Sequence, residues 1–263
     1  MGEPGRGTAK TLDRGLLVLL AFQHRTEWGV SELARELGLD KAVAHRLLTT
    51  LAHRGFVLAD PDTRRYRLGV AVGVLARAAE RGGALEAAAR PLLTELAREL
   101  GESAVLNVPH GAGYRTALAV DAAGPMRYSA IVGETLPAHA GAAGHAIFAF
   151  CPDDDVRRLL GAGPLERFSD TTVTDPEELR EVYARVRREG VSISHGEYDL
   201  NVTSVAAPVF AAGEVVGSLV VIGPHHNVQE KIDTTIARVR GAAESLSRRL
   251  DGGGAEEQRG RDL

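Results

Sequence analysis

Cysteine is nearly absent: Cys151 stands alone in 263 residues, so no disulfide can close within the chain. No apolar run reaches the roughly 18 residues that a membrane-spanning helix needs. The opening MGEPGRGTAK lacks the apolar stretch of a secretory signal, so the expected location is the cytoplasm, with no membrane partner. Catalytic signatures are missing as well. There is no G-x-S-x-G elbow, no H-E-x-x-H helix and no phosphate-binding glycine loop, and the candidates (His110, His139, His145, His195 and Glu197, with Cys151 or Ser194 as nucleophile) fall in no catalytic spacing. The expectation is a protein that is not an enzyme and carries no cofactor. Internal repeats and heptad runs are also lacking, and lysine is scarce beside Ala, Gly and Arg, a bias without functional content.

What remains is an ordinary globular composition, 44% hydrophobic and 25% charged, long enough for two domains. The net charge of -4 conceals an asymmetry. Residues 1–80 carry 12 Lys and Arg against 9 Asp and Glu, and the remainder 19 against 26. The front end is therefore the better suited to a polyanion.

Leu12, Leu16, Leu19 and Leu20 recur at helical spacing and predict a first helix over residues 12–23 with a core-facing leucine stripe. Ser31 is placed to cap "ELAREL", Gly38 to end it, and Asp40 to cap the next helix. In that helix Ala44, Leu47, Leu48 and Leu51 share one face, and Ala42, His45, Arg46 and Thr49 share another. "FVLADPDTRRYRLG" then reads as a β-hairpin turning at residues 60–63. Helix, helix, turn, helix and hairpin make a winged helix-turn-helix. Its expected partner is a double-stranded DNA operator. Arg46 would read guanine, His45 and Thr49 reach base or backbone, Lys41 meet phosphate, and Ala42 allow close approach. Arg64, Arg65 and Arg67 on the wing would reach phosphate oxygens or the minor groove.

Behind a helix at 70–81 the pair Gly82–Gly83 marks a hinge. An amphipathic helix with Pro91 follows, expected to start or kink its second half there. Strands are predicted over 104–108, 116–121 and 127–132, helices over 142–150, 153–160 and 176–189, and strands over 191–195, 202–210 and 215–222. A last helix spans 228–250 before a glycine-rich tail.

"SELARELGLDKAVAHRLLTTLAHRGFV", "RRYRLG", "LPAHAGAAGHAIFA", "GVSISHGEYDLNVTSVAAPVF" and "GEVVGSLVVIGP", in that order, resemble the IclR family of bacterial transcriptional regulators. The resemblance implies an α+β chain: an N-terminal winged helix-turn-helix joined by a linker helix to a C-terminal GAF-like antiparallel sheet domain flanked by helices. It also implies a homo-oligomer, dimer or tetramer, whose C-terminal domain binds a small effector. The expected division is a disordered 1–9, the DNA-binding domain at 10–69, the linker at 70–83, the effector domain at 84–250 and a disordered tail at 251–263. Matching motif positions assign Ala142, Ala143, Gly144, Ser194, Ser204, Val220 and Ile222 to the effector pocket. Helix-start amides opposite two hydroxyls would suit an organic acid. The chain departs from the family's usual pattern at His145, where Lys or Arg is common, at Asn201, where Gly is, and at Ala42 and Val43, where Ser and Thr are. The competing reading is a metal-binding sensor, through His139, His145 and His195, or a protein-interaction module without operator binding.

Overall fold

A computed structural model of the chain describes residues 9–23, 25–124, 127–151, 156 and 164–252. The chain divides into two compact units, Met1–Gly83 and Ala84–Leu263.

In the first unit α1 (Lys10–Leu20) leads through a single 3-10 turn into β1 (Trp28–Gly29), α2 (Val30–Glu36), α3 (Lys41–His53), β2 (Val57–Ala59), β3 (Arg65–Leu68) and α4 (Val70–Gly82). The three short strands pair antiparallel in the order β1-β3-β2 and form the wing. Gly38, at φ +60°, ends α2 by taking a conformation that a Cβ disfavours. Asp40 starts α3 by accepting the Ala42 N–H at 2.8 Å. Val18, Phe22, Trp28, Leu33, Leu48 and Val57 close a small core between helices and wing, with the Trp28 indole N–H donating to the Ala21 carbonyl at 3.1 Å.

Two local expectations fail here. Of the leucine stripe of α1 only Leu19 packs against the core, half-buried; Leu12, Leu16 and Leu20 are exposed, while Val18 is fully buried. The helix carries apolar residues on both faces, and packing against α3 covers the one that holds Val18. Ser31 does not cap α2 either. The helix starts two residues earlier, at Val30, and the Glu32 carboxylate accepts the N–H of its N-cap residue Gly29 at 3.2 Å.

The second unit contains α5 (Ala84–Leu100), β4 (Ser103–His110), β5 (Gly113–Val120), β6 (Thr135–Pro137), α6 (Ala142–Phe148), α7 (Pro176–Glu189), β7 (Ser192–His195), β8 (Val202–Ala211), β9 (Glu214–Pro224), α8 (His225–Glu230) and α9 (Ile232–Leu250). Helix α5 runs unbroken through Pro91. The six strands form one antiparallel sheet in the order β6-β5-β4-β9-β8-β7. Alternation of side chains gives it two different faces. Leu106, Leu118, Val205, Leu219 and Val221 pack with Leu93, Leu96, Val239 and Leu246 of α5 and α9. Val105, Ala206 and Val220 pack with Ile147, Leu179 and Tyr183 of α6 and α7.

The strand expected over 127–132 does not form. The edge of β5 that it would need is taken by residues 133–137: Gly113 to Arg115 pair with Pro137 to Thr135, and the Thr116 N–H donates to the Glu134 carbonyl at 3.0 Å. The final helix is interrupted at Lys231, which separates α8 from α9. The helix expected at 153–160 lies outside the described residues apart from Val156, as do most of the two segments expected to be disordered.

That break places Lys231 for a structural task. Its ammonium donates to the Leu100 carbonyl and lies 3.3 Å from Oε1 of Glu102, a carboxylate only 2% exposed. Gly223 makes room for the pair, since a Cβ there would come within 2.1 Å of Glu102 Oε2. Removing one partner of such a pair strands a buried charge. Lys231→Met is expected to cost about 2–3 kcal/mol in urea unfolding of the full chain, and adding Glu102→Gln should restore much of that loss. Equal stability of Lys231→Met and the parent would refute this role.

Candidate functional site

Helix α3 separates its two faces cleanly. Ala44 and Leu48 are fully buried, whereas Lys41, Ala42, His45, Arg46 and Thr49 are exposed on one side. The Thr49 hydroxyl donates to the His45 carbonyl at 2.9 Å, a bond within the helix that leaves the oxygen's lone pairs outward. The helix N-terminus, with Lys41, Ala42, His45 and Arg46, borders a shallow depression shared with Val30 at the start of α2. Small Ala42 keeps this end low, so a flat surface can approach the backbone.

The three wing arginines separate. Arg64 occupies the turn with φ +54°, and both it and Arg67 are exposed. The turn is built on Asp60, whose Oδ1 accepts the N–H groups of Asp62 at 2.9 Å and Thr63 at 3.0 Å, which hold its carboxyl below the usual range. Arg65, by contrast, points back into the unit. Its guanidinium donates to Glu32 Oε2 at 2.8 Å and to the Glu27 carbonyl at 3.3 Å, and lies 3.6 Å from the Glu27 carboxylate. It braces the wing against α2, so of the three wing arginines only Arg64 and Arg67 have guanidinium groups turned outward.

In the second unit Ala142, Ala143, Ser194, Ser204, Val220 and Ile222 border one cavity of about 630 Å3, its mouth included. Register brings them together. Ser194 pairs with Ser204 and Ser204 with Ile222 across β7, β8 and β9, and Val220 stands two residues along β9 on the same face. Gly144 is not among the lining residues. A Cβ on it would lie 2.3 Å from the Ala138 carbonyl, so this glycine lets α6 sit against the loop before it.

At the inner end Glu197 Oε2 accepts the Gly141 N–H at 3.1 Å and lies 3.4 Å from Nε2 of His145. A protein carboxylate thus already holds one amide at the start of α6. His145 is 1% exposed and its Nε2 is also 2.9 Å from the His139 carbonyl, while His139 Nε2 meets the Glu166 carbonyl at 2.8 Å. His195 is on the other side of its strand, with Nδ1 3.1 Å from the Thr203 hydroxyl that His225 Nδ1 shares at 2.7 Å. Burial, followed by His225, lowers the His195 pKa. The three histidines of the metal reading therefore do not converge, and among the described residues no group of three or more His, Cys, Asp or Glu side chains is arranged to hold a metal ion.

Comparison with known proteins fits this pairing of a winged helix-turn-helix with a pocketed sheet. A family model described as the bacterial transcriptional regulator IclR C-terminal domain matches residues 81–248, and one for the IclR helix-turn-helix domain matches residues 11–61. The chain belongs to the IclR family. It is 31% identical over 225 residues to the HTH-type transcriptional regulator BhcR of Paracoccus denitrificans, covering 85% of this chain and 81% of that one. It is 30% identical to the transcriptional repressor IclR of Escherichia coli, covering 79% and 77%. The crystal structure of an IclR homolog from Microbacterium hydrocarbonoxydans complexed with 4-hydroxybenzoate superposes with a TM-score of 0.60 at 26% identity, covering 92% of this chain and 99% of that one. This IclR chain is thus a transcriptional regulator with a DNA-binding helix-turn-helix and an effector-binding C-terminal domain, and its relatives are regulators, not enzymes.

The sequence reading of this IclR pocket misses the polar residues on β4 and β5 and in two loops: Asn107, Tyr114, Thr116, Tyr128, Glu134 and Asp199 all line the cavity. Asn107 and Thr116 carried a usable signal, since two polar residues interrupt otherwise apolar strands, and they satisfy one another through a 3.1 Å bond from the Thr116 hydroxyl to Asn107 Oδ1. Glu134 carried none; only the turn into β6 brings it to the rim.

The brace at Glu32 gives a pH prediction. The Gly29 N–H, then Arg65 and Arg25, lower the Glu32 pKa. A depressed folded-state carboxylate stabilises fully above the unfolded value, near 4.5, and loses that contribution as pH falls below it. Trp28 is the sole tryptophan and lies in this core. Thermal unfolding followed by its fluorescence is expected to weaken below that pH in the parent and to respond less in Glu32→Gln. Identical pH profiles would refute the brace.

Proposed function

We propose that the protein is a sequence-specific repressor that binds operator DNA as a homodimer or homotetramer and is governed by a small organic acid or related metabolite in the C-terminal pocket. The observation that carries the DNA reading is the exposed polar face of α3 over a buried apolar one. Lys41, Ala42, His45, Arg46 and Thr49 face the major groove, Arg46 reads base edges, and Arg64 and Arg67 meet phosphates. Arg65 holds the wing in place for that contact. Support for repression comes from the E. coli relative named a repressor.

One module neutralises few phosphates, and affinity grows with their number, so two copies serve an operator better than one. Leu12, Leu16 and Leu20 on α1 and Val70, Val74 and Leu75 on α4 are exposed apolar side chains, and each helix thereby offers an apolar stripe suited to pairing with a second copy. For the effector, support comes from the 4-hydroxybenzoate complex of the homolog and from the hydroxyls of Ser194 and Ser204 facing one cavity with the start of α6. A ligand that prefers one conformation shifts operator affinity by its differential binding energy, about 1–3 kcal/mol. Helix α4, as the linker, transmits that preference.

Arg46→Ala is expected to abolish selectivity for the operator, leaving weak binding to any DNA and unchanged effector binding. A footprint of the same site at unchanged affinity would refute the assignment. Ser204→Leu is expected to fill the cavity and remove the effector's influence on operator binding while DNA affinity persists; a mobility-shift titration that still responds to effector would count against this pocket.

A further inference from the structure

The mouth of the cavity carries charge of one sign. Glu134 and Asp199 line it, and among the described residues no Lys or Arg does. Neither carboxylate has a cationic partner among the described residues. Glu134 is fixed by its backbone, its N–H donating to the Ile131 carbonyl at 3.1 Å and its carbonyl accepting from Thr116 at 3.0 Å. One oxygen of Asp199 accepts the Asn201 N–H at 3.3 Å, and the other is uncommitted. Glu197 plays a different part, since its carboxylate is engaged by Gly141 and faces His145.

Aromatic and hydroxyl groups accompany these charges. Tyr128 and Tyr198 line the same mouth, and Tyr198 is ordered by its ring contact with Phe168, centroids 4.8 Å apart. Tyr128 is held in its neutral form by burial and then by Asp199 and Glu134. Deeper in, Ser194, Tyr114 and Ser204 are 3%, 7% and 8% exposed, and among the described residues none of their hydroxyls has a hydrogen-bond partner. Their oxygens open onto the cavity, so an occupant finds three uncommitted hydroxyls there.

A simple anion entering here meets two uncompensated carboxylates. A protonated nitrogen meets the same carboxylates as counter-ions with two tyrosine rings beside them, groups that together recognise organic cations. We infer that the effector carries a protonated amine, held at the mouth by Glu134, Asp199, Tyr128 and Tyr198, with the rest of the molecule against Ser194 and Ser204. The inference rests on this cavity being the effector site, keeps the reading of a small metabolite there, and departs from an organic acid by placing a positive charge at the mouth.

Calorimetric titration of the full chain with 4-hydroxybenzylamine, 4-hydroxybenzyl alcohol and 4-hydroxybenzoate tests it, because the three share a ring and differ in charge. The amine is expected to bind about tenfold tighter than the alcohol and the acid to bind weakest. In the double variant Glu134→Gln and Asp199→Asn, checked for folding by its melting temperature, that preference should shrink to within about threefold. Alcohol or acid binding as tightly as the amine, or an amine preference that survives the double variant, would overturn the inference. Ser204→Leu separates the two levels. If it abolishes binding of a tighter acid or alcohol, the cavity stands as the effector site and only the amine falls. If it leaves binding of all three unaltered, or if the parent binds none of them, the cavity reading falls and takes the inference with it.

Discussion

The ligand cavity depends on a single register across three strands. Ser194 faces Ser204 and Ser204 faces Ile222, and because side chains alternate, a slip of one residue would turn this row toward α5 and α9. Hydroxyls would then enter an apolar core and valines would line the ligand site. The core prevents the slip: Val205, Leu219 and Val221 are each fully buried on the opposite face, so the same alternation that packs the domain aims its polar groups. Stability and recognition are two faces of one sheet.

The first unit applies a comparable economy to charge. Of three arginines on the wing, Arg65 turns inward to Glu32 and Glu27, and that ion pair joins hairpin to helix. The remaining two are exposed. Glu32 serves at both ends of this arrangement, since its carboxylate also holds the Gly29 N–H at the start of α2. A helix-turn-helix with a small core gains orientation of the wing from partly exposed electrostatics, which explains why an acid-sensitive brace sits in a unit otherwise held by a few apolar residues.

Electrostatics at the two ends of the cavity differ. Inside, the Glu197 carboxylate is matched by the Gly141 amide and His145. At the mouth, Glu134 and Asp199 have no cationic partner among the described residues, and Asp199 is met only by the Asn201 N–H. An unmatched pair beside two tyrosines is the feature that distinguishes ligand chemistries, since apolar walls of Val105, Leu136 and Ile222 accept any organic skeleton of the right size.

Periodicity and turn chemistry were enough to read the winged helix-turn-helix, the exposed face of α3 and the paired β8 and β9, because each of these follows from neighbours a few positions apart, whereas the pocket residues, six of which line one cavity, came only from the family resemblance. Motif order was enough to recognise the family. Tertiary structure decided the rest. Leu12, Leu16 and Leu20 looked like core and are exposed, because α1 is apolar on both sides and only contact with α3 selects one. Residues 127–132 read as a strand, yet 133–137 occupy the only edge of β5 they could have joined. Arg65 was indistinguishable from Arg64 and Arg67 until Glu27 and Glu32 were brought beside it. Gly144, read as lining, serves close packing on Ala138. Glu134 and Asp199, 65 positions apart in the chain numbering, share a cavity mouth only after the sheet has folded, and no local pattern encodes a meeting that long-range strand order creates.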